Sequence, residues 1–202
     1  YIAKECGATV WKTQLYDPEQ LFPNHEVTVN GRNWYSEVEK TKLSFDQVSM
    51  LKKHCDKVGI EFLASSFDTT RLQWLEMLHV KRHKIATRMN KDLNYIEKVK
   101  STGKEVIISV IKRHYDWSNF TQLYCVPKYP TEMKDLDFSA MYQCQGFSDH
   151  TFGIEASVYS LANLINQDFI IEKHFTLHRD NSGCDQIISI EPNELKQLVK
   201  FA

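Results

Sequence analysis

The sequence lacks the features that define several common classes of protein. Its 25 basic and 26 acidic side chains leave a formal net charge of −1, which excludes a nucleic-acid binder held by bulk positive charge and an acidic tail protein. No segment approaches the roughly 20 consecutive apolar residues of a membrane span, and the longest apolar run, Val106–Ile111, is interrupted by Ser109. We therefore expect neither a nucleic-acid partner nor a membrane partner.

The cysteines are few, scattered and unsuited to a structural metal site. The five residues contain no CxxC pair and are Cys6, Cys55, Cys125, Cys144 and Cys184. Free thiols of this kind indicate a reducing compartment, and we expect a cytoplasmic protein. The chain also begins at Tyr1 without an initiator Met or a signal-peptide pattern, so we expect that a further segment precedes it.

The 42% of hydrophobic residues and 12% of aromatic residues are sufficient for a large core. Short Ile- and Val-rich segments alternate with helical periodicity, and the predicted strands are Thr9–Gln14, Ile60–Ala64, Lys84–Thr87, Val106–Ser109, Thr121–Val126, Gly146–Ser148 and Phe169–Lys173. Continuous apolar strands between helices are typical of a parallel α/β sheet. An open doubly wound sheet and a (β/α)8 barrel both fit, but no GxGxxG or GxxxxGK[ST] motif supports a nucleotide-binding open sheet.

Helix start signals support this alternation. A capping box at Ser44 and Gln47, an N-cap at Asp68 and a proline at the first position of the last helix, Pro192, each predict a helix start. A further helix is predicted over Ile154–Ile165. The long polar segment Pro23–Lys42, with an Asn30-Gly31 turn, is predicted to be an excursion between the first strand and its helix.

Polar side chains follow almost every predicted strand. They are Lys12, Gln14, Ser65, Ser66, Asp68, Thr87, Ser109, Lys128, Ser148, Asp149, His150, Lys173 and His174. In a barrel, groups at the carboxyl ends of the strands lie on the rim that carries the chemistry. A single residue of this kind is usually a cap or a solvated loop residue, whereas a series of them indicates a site.

Two segments concentrate these groups, namely Gly146–Gly153 and Ile170–Thr176. Because side chains alternate along a strand, Glu172 and His174 are expected on one face and Lys173 on the other. His150 and His174 follow neighbouring strands and are candidates to share one divalent cation. Alternatively, both are structural histidines held by hydrogen bonds. The remaining histidines are expected at the surface or in packing, and they are His25, His54, His79, His83, His114 and His178.

These segments, and others in the same order, resemble the catalytic barrel of the sialic acid synthase family, which includes legionaminic and pseudaminic acid synthases and spore-coat polysaccharide synthases. GFSDHT and IIEKHFTL at their observed separation are the most specific matches. The other similar segments are AKECGATVWKTQ at 3–14, GIEFLASSFD at 59–68, KIAT at 84–87, TGKEVIIS at 102–109, LYCVPKYPT at 123–131, and GCDQ at 183–186 followed by Ser189 and Glu191-Pro192.

The resemblance implies a (β/α)8 TIM barrel that condenses phosphoenolpyruvate with an N-acylated amino sugar, such as N-acetylmannosamine, and releases phosphate. It implies that His150 and His174 bind Mn²⁺, or Mg²⁺ or Co²⁺, and that Glu172, Lys12 and Asp185 are catalytic. The implied substrate-binding residues are Lys12, Gln14, Ser65, Thr87, Ser109, Tyr129, Ser148, Asp149, Lys173 and Asp185. A homodimer is also expected.

The chain departs from the family pattern in several places. The family's first strand, with its acidic residue, has no counterpart here, so 1–202 is expected to be one barrel domain that is incomplete at its N-terminus. The resemblance also leads us to expect a chain without the family's antifreeze-like C-terminal domain. Pro127 replaces a serine and Gln186 replaces a histidine. The segment after Ser109 is too short for the crossover helix of a parallel pair, so residues are expected to be missing between Lys112 and Trp117.

Two hypotheses remain. The chain represents an active synthase, or it represents a degenerate, non-catalytic family member that binds metal, sugar or a partner. An unrelated barrel metallohydrolase would require more carboxylate and histidine ligands than the sequence offers.

Overall fold

The computed structural model describes residues 1–25, 28–29, 32–163, 168–181, 183 and 185–202. Its helices are α1 (Ile2–Glu5), α2 (Pro18–Leu21), α3 (Trp34–Thr41), α4 (Phe45–Val58), α5 (Thr69–Met77), α6 (Leu93–Lys100), α7 (Phe138–Met141), α8 (Glu155–Ala162) and α9 (Pro192–Val199). Its strands are β1 (Val10–Leu15), β2 (Thr28–Val29), β3 (Arg32–Asn33), β4 (Glu61–Ser66), β5 (Arg82–Ile85), β6 (Glu105–Val110), β7 (Thr121–Cys125), β8 (Gly146–Asp149) and β9 (Ile170–Lys173). The chain divides into two units, residues 10–104 and residues 1–9 with 105–202.

In the unit of residues 10–104, β1, β4 and β5 pair in parallel, with Gln14 beside Ser65 and Ser65 beside Lys84. The predicted helix starts are confirmed here. Ser44 and Gln47 form both bonds of the capping box at α4, and the Asp68 carboxylate accepts the Arg71 N–H at the start of α5. These bonds satisfy backbone donors that the first turn of a helix leaves without partners.

The excursion after β1 has structure that its polar sequence did not predict. α2 begins at Pro18, the short antiparallel pair of β2 and β3 follows, and α3 leads to α4. Tyr16, Phe22 and Val38 form a small buried cluster beneath these elements. The predicted turn at Asn30-Gly31 lies outside the described residues.

In the unit of residues 1–9 and 105–202, β6, β7, β8 and β9 pair in parallel in chain order. β6, β7 and β8 are short and almost wholly buried, as expected for strands that are covered on both faces, whereas β9 is half-buried along its length. α8 ends at Ala162, and residues 164 and 165 of the helix predicted over Ile154–Ile165 lie outside the described residues. Pro192 occupies the first turn of α9, as predicted. The prediction of an α/β protein with parallel strands is confirmed.

The connection between β6 and β7 is short for a parallel pair of strands. Residues 111–120 join two parallel neighbours without an α-helix, through a single 3-10 turn at Tyr115–Trp117. The side chain of Gln122, 1% exposed, accepts the His114 N–H at 2.7 Å and donates to the carbonyls of His114 and Trp117 at 2.8 and 2.9 Å. One buried amide thus anchors the short crossover of this chain. The expectation that residues are missing between Lys112 and Trp117 stays a prediction.

Two further features concern the whole described part of the chain. No helix within it is long and apolar enough to cross a membrane. Four cysteines, Cys6, Cys55, Cys125 and Cys144, are buried, while Cys184 lies outside the described residues.

Candidate functional site

The register of β6 to β9 determines which predicted site residues share a face. Cys125, Ser148 and Glu172 lie side by side across three strands. Side chains two residues apart on a strand share a face. His150 and His174 therefore continue the face of Ser148 and Glu172 just beyond the carboxyl ends of β8 and β9. Ser109 lies beside Leu123, two residues before Cys125, and so belongs to the same face.

His150 is held in one tautomer by the backbone. Its Nδ1 lies 2.9 Å from the Val126 carbonyl oxygen, and a carbonyl accepts a hydrogen bond only from a protonated nitrogen. Nδ1–H therefore donates, and the lone pair of the neutral ring is on Nε2. The His150 carbonyl in turn accepts the Thr131 N–H at 2.9 Å. The residue is 5% exposed, so both its ring and its backbone are fixed.

His174 lies next to His150, with the ring centroids 5.6 Å apart. Its carbonyl accepts the Ile190 N–H at 2.8 Å, which secures the chain just after β9. The His174 Nδ1 lies 3.7 Å from a carboxylate oxygen of Asp185. The half-exposed ring of Tyr129 packs against both imidazoles, with its centroid 4.1 Å from that of His150 and 6.1 Å from that of His174.

Ser148 and Glu172 form a polar pair directly below the histidines. The Ser148 hydroxyl donates to Oε1 of Glu172 at 2.8 Å, as their positions in register require. This bond uses one of the two carboxylate oxygens of Glu172 and thereby fixes the orientation of the carboxylate. The predicted sharing of a face by Glu172 and His174 is confirmed by this geometry.

Asp149 and Lys173 lie on the opposite face. The Lys173 Nζ is 3.1 Å from a carboxylate oxygen of Asp149, and the same oxygen accepts the hydroxyl of Ser157 in α8 at 2.5 Å. Asp149 is 0% exposed and the Lys173 side chain is 4% exposed. Burial lowers the pKa of Lys173, against the opposing effect of the Asp149 carboxylate. Asp149 is thereby bonded to α8 through Ser157, and the role of both residues in substrate binding stays a prediction.

The unit of residues 10–104 carries a separate polar row. Gln14, Ser65 and Lys84 lie side by side across β1, β4 and β5, and Lys12 shares their face two residues before Gln14. The Thr87 hydroxyl, at the start of the 3-10 turn after β5, is buried and has no hydrogen-bond partner within the described residues. A buried hydroxyl of this kind is suited to bind a ligand oxygen.

Lys84 is a candidate that the sequence analysis missed. It is 2% exposed on β5, and its Nζ donates to the Ile85 carbonyl at 3.3 Å. A buried ammonium group is rare unless it is paired or serves an anion. The signal in the sequence is that this lysine lies within a short predicted strand, Lys84–Thr87, and not after its end.

The donor set near β8 and β9 fits a two-imidazole metal site. An ion about 2 Å from a ring nitrogen lies about 3 Å from the ring centre, so centroids 5.6 Å apart are compatible with one shared ion. The His150 Nδ1–H bond to a carbonyl is the usual way in which a protein orients a ligating imidazole. Within the described ranges, no group of three or more His, Cys, Asp or Glu side chains forms a metal cluster.

Comparison with known proteins assigns the chain to a family. The family model of the NeuB family matches residues 1–202, and the chain belongs to the NeuB family. It is 31% identical over 218 residues to the N,N'-diacetyllegionaminic acid synthase of Campylobacter jejuni, covering 97% of this chain and 62% of that protein. It is 29% identical over 226 residues to the human N-acetylneuraminate-9-phosphate synthase, covering 98% and 62%. The chain thus spans about three fifths of the length of these curated relatives.

Solved structures show the same similarity. The N-acetylneuraminic acid (sialic acid) synthetase of Leptospira borgpetersenii, solved in complex with citrate, matches with a TM-score of 0.87 at 28% identity, over 99% of this chain and 74% of that one. A truncated 3-deoxy-D-arabino-heptulosonate 7-phosphate synthase of Thermotoga maritima matches with a TM-score of 0.69 at 15% identity, over 98% and 76%. The second likeness concerns the fold alone.

Proposed function

We propose that this protein is a nonulosonic acid synthase that condenses phosphoenolpyruvate with an N-acylated amino sugar and releases phosphate. Its membership of the NeuB family and its named relatives support this activity. The observation that carries the proposal is the shared face of His150, His174, Ser148 and Glu172 at the carboxyl ends of two paired strands. In α/β proteins built on parallel strands, ligands bind at this end.

In this proposal His150 and His174 hold a divalent cation, with Mn²⁺ as the first candidate and Mg²⁺ or Co²⁺ as alternatives. Such an ion supplies Lewis-acid polarisation of the aldehyde of the open-chain sugar. The fixed tautomer of His150 makes Nε2 its ligating atom. Tyr129, packed on both rings, restricts their rotation and shields them from bulk water.

The remaining residues of this face are assigned roles by their chemistry and position. Glu172, oriented by Ser148, is proposed to accept a proton or a hydrogen bond from substrate or water. Asp185, beside His174, is proposed to bind sugar hydroxyls. Ser109 offers a hydroxyl to phosphate or carboxylate oxygens.

The polar row of residues 10–104 is proposed to bind anionic groups of phosphoenolpyruvate. Lys12 and Lys84 supply positive charge, while Ser65 and Thr87 supply hydroxyl donors. Gln14 adds an amide on the same face. These roles rest on the family resemblance and on the side chains of that unit alone. The (β/α)8 barrel without its first strand, the homodimer and the cytoplasmic location are proposed on the same resemblance.

The test is an assay of phosphate release with phosphoenolpyruvate, Mn²⁺ and a panel of N-acyl amino sugars of the mannosamine type. We expect phosphate release that depends on both substrates and on the cation. His150→Ala and His174→Ala are each expected to abolish Mn²⁺ binding and turnover. His54→Ala, in α4 of the other unit, is the matched control and should change neither.

Two results would contradict the proposal. Full Mn²⁺ occupancy in either histidine variant would show that the substituted histidine is not a metal ligand. Binding of metal and sugar without phosphate release, with every sugar tried, would instead favour the non-catalytic family member. The substitutions Pro127 and Gln186, where family motifs carry serine and histidine, make that second outcome worth measuring directly.

A further inference from the structure

A buried network connects the two strands that carry the histidines. The Asp149 carboxylate accepts the Thr151 N–H at 2.7 Å and the Ser157 hydroxyl at 2.5 Å. The Lys173 ammonium lies 3.1 Å from the same carboxylate and donates to the Thr151 carbonyl at 2.5 Å. Both polar groups of the Thr151 backbone are therefore bound by one ion pair.

Residues of this network are sequence neighbours of the two histidines. Thr151 directly follows His150, and Lys173 directly precedes His174. The bond from Lys173 to the Thr151 carbonyl therefore joins the backbone beside one histidine to the backbone beside the other. The link lies on the face opposite to the imidazoles, so it acts without touching whatever they bind.

Net stability alone does not account for such a pair. Removing two charges from water is expensive, and replacing a buried ion pair by residues of similar volume is often neutral for stability. The pair instead constrains the local geometry, because each of its hydrogen bonds fixes an angle as well as a distance. A directional link between two adjacent loops is suited to holding two side chains at a set separation.

We propose that Asp149 and Lys173 are positioning residues that set the separation and orientation of the His150 and His174 rings. This inference rests on the proposed function, in which the two rings share a cation. It assigns the ion pair no contact with substrate, in contrast to the role that the family resemblance implies. Bonds in the second shell of a metal site act in this way, and their loss typically weakens metal affinity by about 10- to 100-fold.

The test uses the double variant Asp149→Asn with Lys173→Met. Lys173→Met alone would leave a buried carboxylate without its cation and could unfold the chain. The double variant removes both charges, while the asparagine amide keeps an acceptor for the Thr151 N–H. The matched control is Glu61→Gln with Arg82→Met, which removes the 2.7 Å bidentate ion pair between β4 and β5 in the other unit.

Two readouts are measured on each folded variant. Mn²⁺ affinity, followed by electron paramagnetic resonance of the free ion, should fall about 10- to 100-fold in the Asp149/Lys173 variant and stay unchanged in the control. Nitrogen-15 NMR of the imidazoles, without metal, should show altered His150 and His174 ring signals and faster exchange of the His150 Nδ1–H proton. A general loss of stability, present equally in the control, would not produce this pattern.

The outcomes separate the two proposals. If the folded double variant retains wild-type ring signals, the positioning role is refuted, whatever its metal affinity. If the wild-type protein binds no Mn²⁺, or His150→Ala binds it fully, the metal site of the proposed function is refuted, and the ring signals alone decide the positioning role. Altered rings together with weakened Mn²⁺ binding in the double variant alone support both.

Discussion

Gln122 allows the helix-free crossover between β6 and β7 to be tested with one substitution. Its amide makes three hydrogen bonds to the backbone of His114 and Trp117. Gln122→Leu keeps a side chain of similar size and removes all three. Since a backbone group that loses its partner costs about 1–3 kcal/mol when water is excluded, and since His114 lies near solvent, we take about 1 kcal/mol per bond.

The expected loss in the free energy of unfolding is therefore about 3 kcal/mol, or roughly 6–12 °C in Tm for a chain of this size. Urea unfolding followed by circular dichroism measures the loss. Amide hydrogen exchange should locate the loss of stability, because exchange should become faster over residues 111–120. Gln143→Leu is the control because its exposed amide donates only to the Ser139 carbonyl one turn earlier, and it should change stability by less than about 0.5 kcal/mol.

A loss below about 1 kcal/mol in Gln122→Leu would show that the three bonds do not hold the crossover. Wild-type exchange rates over residues 111–120 would contradict the reasoning equally, even if the protein as a whole were destabilised. The argument requires both a global loss and a local opening.

Three further predictions concern stability, pH and substrate. Gly146→Ala should lower stability by about 1–3 kcal/mol in urea unfolding, because a Cβ there would lie 2.4 Å from the Ile170 carbonyl oxygen; an unchanged urea midpoint would contradict this. Burial lowers the pKa of His83 below its ordinary value of 6.5, so the folded state disfavours its protonated form. Stability should therefore be full above about pH 6.5 and fall as the pH drops toward the folded pKa. His83→Gln should flatten that fall, and equal slopes in the two proteins would refute the assignment. Lys12→Ala should raise the KM for phosphoenolpyruvate far more than the KM for the sugar, whereas an equal rise in both would exclude its proposed role.

Local signals in the sequence predicted local structure well. The capping box at Ser44, the N-cap at Asp68 and the proline at Pro192 each act within one helical turn, so the sequence contains everything needed to read them. The strands were equally predictable from the sequence, because parallel strands that are buried on both faces are continuously apolar. Strand ends differ from the predicted ends by only a few residues, as at Lys84–Thr87, where β5 ends at Ile85.

Features that depend on residues far apart in the sequence could not be predicted from it. The sequence after Ser109 predicts a short connection, but it does not reveal that Gln122 bonds to that connection. The alternation of side chains correctly separated Lys173 from Glu172, yet only the pairing of β8 with β9 shows that Lys173 meets Asp149. The histidine pair was predicted because the resemblance supplied it, and the structure adds the tautomer of His150.

Alkylation of the buried cysteines would report how the protein opens. Cys6, Cys125 and Cys144 belong to residues 1–9 and 105–202, whereas Cys55 belongs to residues 10–104. In a Cys184→Ser background, a thiol reagent can alkylate these sulfurs only when their surroundings separate. The order in which peptides acquire the label would then report whether one unit comes apart before the other, without any engineered probe.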